Sequence, residues 1–204
     1  MRNWLQHGFE SLINVFWQPT AFFETSDDAT WLPVSHNAFY AAIIHAVIGV
    51  FLTIYFDVLS VGWQGLLFTM PRVGIRPVVA VLSILAWSGI VYATLWCFDE
   101  GDLRTTLSVI AYSWLVSIPY TVVEGIRYLV EEILRSAGGL SGMLQSGLVI
   151  GSSVLSAASI IHITIASVIG LHERIGAKWW HGIIATVVVP FAILAAVLGL
   201  VYLI

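Results

Sequence analysis

The sequence predicts an all-α polytopic membrane protein, a five-transmembrane-helix bundle with an N-terminal interfacial amphipathic helix. Two observations carry that reading. Apolar runs at 38–61, 77–98, 105–123, 146–171 and 182–204 hold almost no charge, and each approaches the ~20 residues a helix needs to cross a bilayer's hydrocarbon core. The chain is 59% hydrophobic and 10% charged, whereas soluble domains carry about 25% charged residues. Its mean hydropathy is +0.93. In such a solvent every backbone polar group must be satisfied within its own helix, and any polar side chain left in a span needs an explanation.

The same figures bound the function. In 204 residues the spans leave no room for a separate soluble domain, so the expected division is 1–37, an interfacial segment, and 38–204, the membrane domain. A net charge of −4 and the lack of a basic cluster argue against a nucleic-acid partner. Cys97 is the single cysteine, which excludes an internal disulfide and a cysteine-based metal centre. Its expected role is that of a small apolar filler. No cofactor is expected. The expected partners are membrane lipids and either a second copy or another membrane protein.

Element by element, the chain opens on an amphipathic pattern. Leu5, Phe9, Leu12, Ile13 and Phe16 recur at helical spacing, while Arg2, Gln6, Glu10 and Asn14 avoid that stripe. Trp4 and Trp17 near its ends suit a bilayer interface. No continuous apolar stretch follows residues 1–7, so no cleavable signal peptide is predicted. After the first span, 62–76 reads as an apolar interfacial loop with Arg72 and Arg76. Asp99, Glu100, Gly101 and Asp102 form a tight acidic turn. The third span leads into a second amphipathic segment. Its apolar face is Ile126, Leu129, Val130, Ile133 and Leu134, and Arg127, Glu131 and Arg135 stand four apart on the other face, at ion-pair spacing. Gly138 and Gly139 end it. The last connection is basic, with Arg174 and Lys178, and Trp179–Trp180 mark an interfacial belt. Basic residues do not decide orientation. Arg2, Arg104, Arg174 and Lys178 fall on one side, against Arg72, Arg76, Arg127 and Arg135 on the other.

Three sets of residues carry the candidate sites. In the fourth span Gly147, Gly151, Ser152, Ser156 and Ser159, continued by Ala166 and Gly170, make a narrow face of small residues. Such a face lets helices approach closely, with serines bonding across the contact. The sharper alternative is a hydrophilic path along the serines. His45, Asp57, Glu124 and His162 are the candidate intramembrane polar residues. A charge at mid-bilayer costs at least ~2.5 kcal/mol, so such residues tend to mark function. Asp57 and Glu124 lie near span ends and suit boundary marking. His45 and His162 lie deeper, either as satisfied packing groups or as proton or metal sites. Two histidines alone make no metal centre. Finally, Pro119 and Pro190 interrupt spans and should act as hinges, each freeing a carbonyl, near Leu115 and Thr186. Gly139-Leu140-Ser141-Gly142 has the Gly-x-Ser-Gly shape of an intramembrane serine protease, with His181 downstream. Its glycine-rich setting beside an amphipathic segment, and five spans rather than six, argue against catalysis. No enzymatic activity is expected.

One resemblance joins these parts. The stretch 162–176, with its Gly170-Leu171 turn, resembles the fourth span of the Yip1 domain family. Lys178-Trp179-Trp180 and the span around Pro190 continue the likeness, and 104–114 is similar to that family's third span. Pro19 to Phe23 resembles the Pro-x-x-Phe-Phe entry of its prokaryotic members. The resemblance implies five helical spans with a cytoplasmic N-terminus, and a multi-pass protein of the cell membrane. Eukaryotic members act in vesicle traffic and bind small GTPases of the Rab class. Where they carry a long cytosolic domain this sequence shows a short segment before the first expected span, and it holds no Asp-Leu-x-Gly-Pro motif. It carries Ala111 before Tyr112, and Val116 where the family has proline. It looks like a compact prokaryotic-type member, which implies membrane organisation through packing, oligomerisation or partner binding. The rival expectation is a small-solute or ion transporter using His45, Glu124 and His162.

Overall fold

A computed structural model of the chain describes residues 2–25, 63–136, 138 and 142–203. Among these residues all regular structure is helical. The elements are α1 (Arg2–Trp17), α2 (Pro19–Thr25), α3 (Trp63–Trp96), α4 (Leu103–Trp114), α5 (Ser117–Ser136), α6 (Gly142–Ile175), α7 (Trp179–Ile183), a π-helical stretch (Ile184–Val188) and α8 (Val189–Leu203). Among the described residues three segments are long and apolar enough to cross a membrane: Leu103–Arg127, Leu144–Ile175 and Trp179–Val197. The run predicted at 77–98 falls within α3, whose stretch Val81–Trp96 is apolar. The run predicted at 38–61 lies outside the described residues, and His45 and Asp57 with it.

Several expectations are corrected. The loop expected at 62–76 is helical from Trp63 onward. An apolar segment has few outside partners for its amides, and a helix satisfies them internally despite Pro71 and Pro77. The run predicted at 105–123 lies within the candidate span Leu103–Arg127, and the interruption expected from Pro119 divides it into two helices at a turn over Leu115 and Val116. Pro119 explains the break. Its ring displaces the carbonyl four residues back and it offers no N–H. The amides of Leu115 and Val116 bond instead to the carbonyls of Tyr112 and Ser113, three residues back. Pro190 acts differently. The helix before it widens into the π stretch, where the Val189 N–H reaches the Ile184 carbonyl and the Thr186 hydroxyl donates to the Gly182 carbonyl at 2.7 Å. Cys97 is exposed rather than buried as filler, since it follows directly on the end of α3.

The acidic turn is as expected, and its chemistry is specific. Asp99 adopts φ 56, and the amides of Asp99 and Glu100 close the end of α3 on the carbonyls of Trp96 and Leu95. This is the left-handed stop that usually uses glycine. Asp102 then caps α4. Its side chain accepts from the Thr105 amide at 2.9 Å. Partial burial pushes the Asp102 carboxyl up. Hydrogen bonds from Thr105 and the Arg104 amide, with the Arg104 charge, outweigh that and hold it below the usual range.

The chain divides into two compact units. One takes residues 1–38, 82–116 and 163–204. Its interior is built on α4, which is buried from Thr106 to Ser113. Ile84, Leu107 and Ala111 form an apolar cluster there, with Trp114 packed against it. α1 lies against α2 and α4. It turns Ser11 and Val15 inward, neither of them in the predicted apolar stripe, while of that stripe Ile13 is exposed and Leu12 and Phe16 are half-buried. Phe22 of α2 meets Tyr112 edge-on, with ring centroids 5.1 Å apart. Phe23 is buried beside Gly170. A Cβ built at Gly170 would stand 2.6 Å from Val109 Cγ1 and 2.9 Å from the Phe23 ring. This is the close approach that a small residue permits. The other unit takes 39–81 and 117–162 and holds the site below.

Candidate functional site

The site is a polar seam between α5 and the first half of α6. Tyr120, Glu124, Arg127 and Glu131 recur at spacings of three and four, which puts them on one face of α5. Arg127 grips both carboxylate oxygens of Glu124, with Nε to Oε2 at 3.0 Å and Nη2 to Oε1 at 2.9 Å. Its Nη1 donates to Glu131 Oε2 at 2.9 Å and reaches the Leu148 carbonyl of α6 at 3.5 Å. Ser152 Oγ of α6 donates to Glu124 Oε1 at 2.6 Å. Farther along, Tyr120 Oη and His162 Nδ1 are 3.1 Å apart.

The sequence puts Arg127 and Glu131 at ion-pair spacing opposite the apolar stripe of α5, and the fold turns that charged face inward. The Arg127 side chain is 12% exposed, while Ile126 is 57% exposed. Val122, Val123, Val130 and Ile133 also face outward. A helix in water turns its apolar stripe inward; α5 turns it outward. That is the arrangement expected where the surroundings are apolar.

Of the predicted site residues, the fold brings Glu124, His162 and Ser152 onto the α5–α6 seam. His45 lies outside the described residues. The small-residue face contributes at two places, Ser152 on the seam and Ala166 with Gly170 in the other unit. Among the described residues no atom lies within 4 Å of a Cβ built at Gly147 or Gly151. Ser156 is exposed and Ser159 half-buried. The serine path gains nothing from the buried hydroxyls of the other unit. Ser88, Ser113, Ser167 and Thr186 each donate to the carbonyl four residues back in their own helix. Ser152 is different in donating across to a carboxylate.

Two features escaped the sequence reading. Tyr120 is aromatic in an apolar run, and nothing marks it as a partner for a residue 42 positions away. Glu100 and His181 are far apart in sequence, yet His181 Nδ1 lies 2.7 Å from Glu100 Oε1, within ion-pair distance but not aligned as a hydrogen bond. Among the described residues no group of three or more His, Cys, Asp or Glu could hold a metal ion.

The chain matches no protein-family model, no curated protein and no solved structure.

Proposed function

We propose that this chain is a Yip1-like protein of the cell membrane, crossing it five times from a cytoplasmic N-terminus. It acts without enzymatic chemistry, through helix packing, self-association or binding of a membrane-protein partner. One observation supports this most. Glu124, Arg127 and Glu131 of α5 are engaged with one another and with Ser152, while Val122, Val123, Ile126, Val130 and Ile133 face outward. A polar network that bridges two helices fastens them in lipid. The outward apolar face is what a lipid or a partner helix would meet. The resemblance of 162–176 and of Pro19 to Phe23 to the Yip1 family supports the same reading.

Crosslinking in native membranes, with identification of what co-purifies, tests it. A second copy or one other membrane protein, recovered at fixed stoichiometry, is the expected result. The second reading is a small-solute or ion transporter with proton-linked histidines. The placement of His162 on a candidate span, against the Tyr120 hydroxyl, favours it. An uncrosslinked chain that moves a solute in proteoliposomes, with a pH dependence abolished by His162→Leu, would replace the scaffold reading with that one.

A further inference from the structure

One end of the first unit is a rim of indoles and mixed charges. The turn after α3 and the start of α7 meet there. Phe98 lies flat on the His181 ring, with centroids 4.0 Å apart and 8° between planes. It also meets Trp180 edge-on at 5.5 Å, and Glu100 contacts His181. A Cβ at Gly101 would stand 3.1 Å from the Ile175 side chain, so the connection after α6 closes on the same end. These contacts leave three indoles outside: Trp96 is 66% exposed, Trp179 49% and Trp180 52%. Around them Asp99, Asp102, Arg104 and Lys178 are all exposed.

Neither bulk solvent suits that combination. Exposed in hydrocarbon, each of the four charges would cost at least ~2.5 kcal/mol. In water, three large indoles would stand open with nothing to cover their apolar rings. The headgroup layer satisfies both. It takes the ring into its apolar side and the N–H into its polar side, and a zwitterionic phospholipid presents both signs of charge. We infer that this rim is a lipid-binding surface seated in the headgroup–glycerol layer, its occupant the headgroups of zwitterionic phospholipids. The inference rests on the membrane-spanning reading and adds the depth and chemistry of one end. The Phe98–His181–Glu100 contact is the clamp that holds Trp96 and Trp180 on a common rim.

Cys97 makes the test possible in the native chain, being the single cysteine, exposed and adjacent to Trp96. The full chain is labelled there with a nitroxide and placed in phosphatidylcholine vesicles. Power saturation is read with oxygen, which partitions into the bilayer, and with a water-soluble nickel chelate. The rim reading expects both to relax the label. Relaxation by the chelate alone, or by oxygen alone, overturns it. A second chain, Cys97→Ser with Ile165→Cys, reports on the span itself, since Ile165 is exposed on Leu144–Ile175. That label should respond to oxygen alone. If it does so while Cys97 responds only to the chelate, the rim inference falls and the span stands. If the chelate reaches Ile165, both fall. Replacing Trp179 and Trp180 together by alanine should shift the Cys97 label outward, with a gain in chelate access and a loss in oxygen access. No change in either would also count against the rim.

Discussion

At Gly170 the backbone of α6 comes as near to α2 and α4 as side chains allow. Adding one methyl group there would place it within 3 Å of Val109 and Phe23, and both side chains are buried. Gly170→Ala should therefore destabilise by about 1–3 kcal/mol, the usual range for overpacking. Val109→Ala in the same chain should recover part of the loss, and thermal unfolding in detergent reads both. Asp102 makes a second prediction at this scale. Asp102→Ala removes an N-cap worth about 1 kcal/mol. The folded-state carboxyl is held below its ordinary range, so its contribution is complete above the unfolded aspartate value. It fades as pH falls through the lowered folded value. The stability gap between the original chain and the variant should accordingly be full at neutral pH and shrink in acid. A gap that widens in acid would contradict the assigned cap. The acidic turn itself was legible from its residues, because Asp and Gly tolerate the backbone a tight stop requires. The Glu100–His181 contact was not, because no local pattern links two residues that only the fold brings together.

Elements show where a sequence pattern carries two meanings. Arg127 and Glu131 have ion-pair spacing whichever way α5 faces. Period identifies a helix with two unlike faces, but the solvent decides which face turns inward. Ile126 outward and Arg127 inward answer that question only in the structure. Segment 62–76 was read as an interfacial loop because it is apolar yet too short to span alone, whereas the fold joins it to the following run in one helix, through Pro71 and Pro77. The proline positions themselves were informative, and their consequences differed. Pro119 split a run into α4 and α5, whereas Pro190 produced a π turn. The freed Thr186 carbonyl expected from Pro190 falls within that turn. Pro190→Ala would restore an N–H four residues beyond Thr186. Ile184–Val188 should then tighten to an α-helix, and residue 190 should gain a slowly exchanging amide. Carbon chemical shifts and hydrogen exchange measure this. A persistent π stretch would mean that neighbouring packing, rather than proline, imposes it.

For the whole molecule, the long uncharged apolar runs predicted helices able to cross a membrane, and among the described residues the structure is helical and holds such segments. Composition could not decide whether the polar groups on those segments are chemical or structural. Glu124, with Arg127 and Ser152 around it, has the geometry of a fastening. Buried ion pairs of this kind can often be exchanged together for apolar groups of similar volume, whereas removal of one partner is costly. Glu124→Leu, Arg127→Met and Glu131→Leu made together should thus leave a folded chain, with the Ser152 hydroxyl turned to the Leu148 carbonyl of its own helix, while Arg127→Met alone, which strands both carboxylates, should be markedly less stable. Crosslinking of the triple variant in native membranes, side by side with the original chain, tests the central claim most directly. The scaffold account expects both chains to give the same crosslinked protein at the same stoichiometry. A triple variant that folds but loses that product, or an original chain that gives none while transporting a solute the variant cannot, would contradict it.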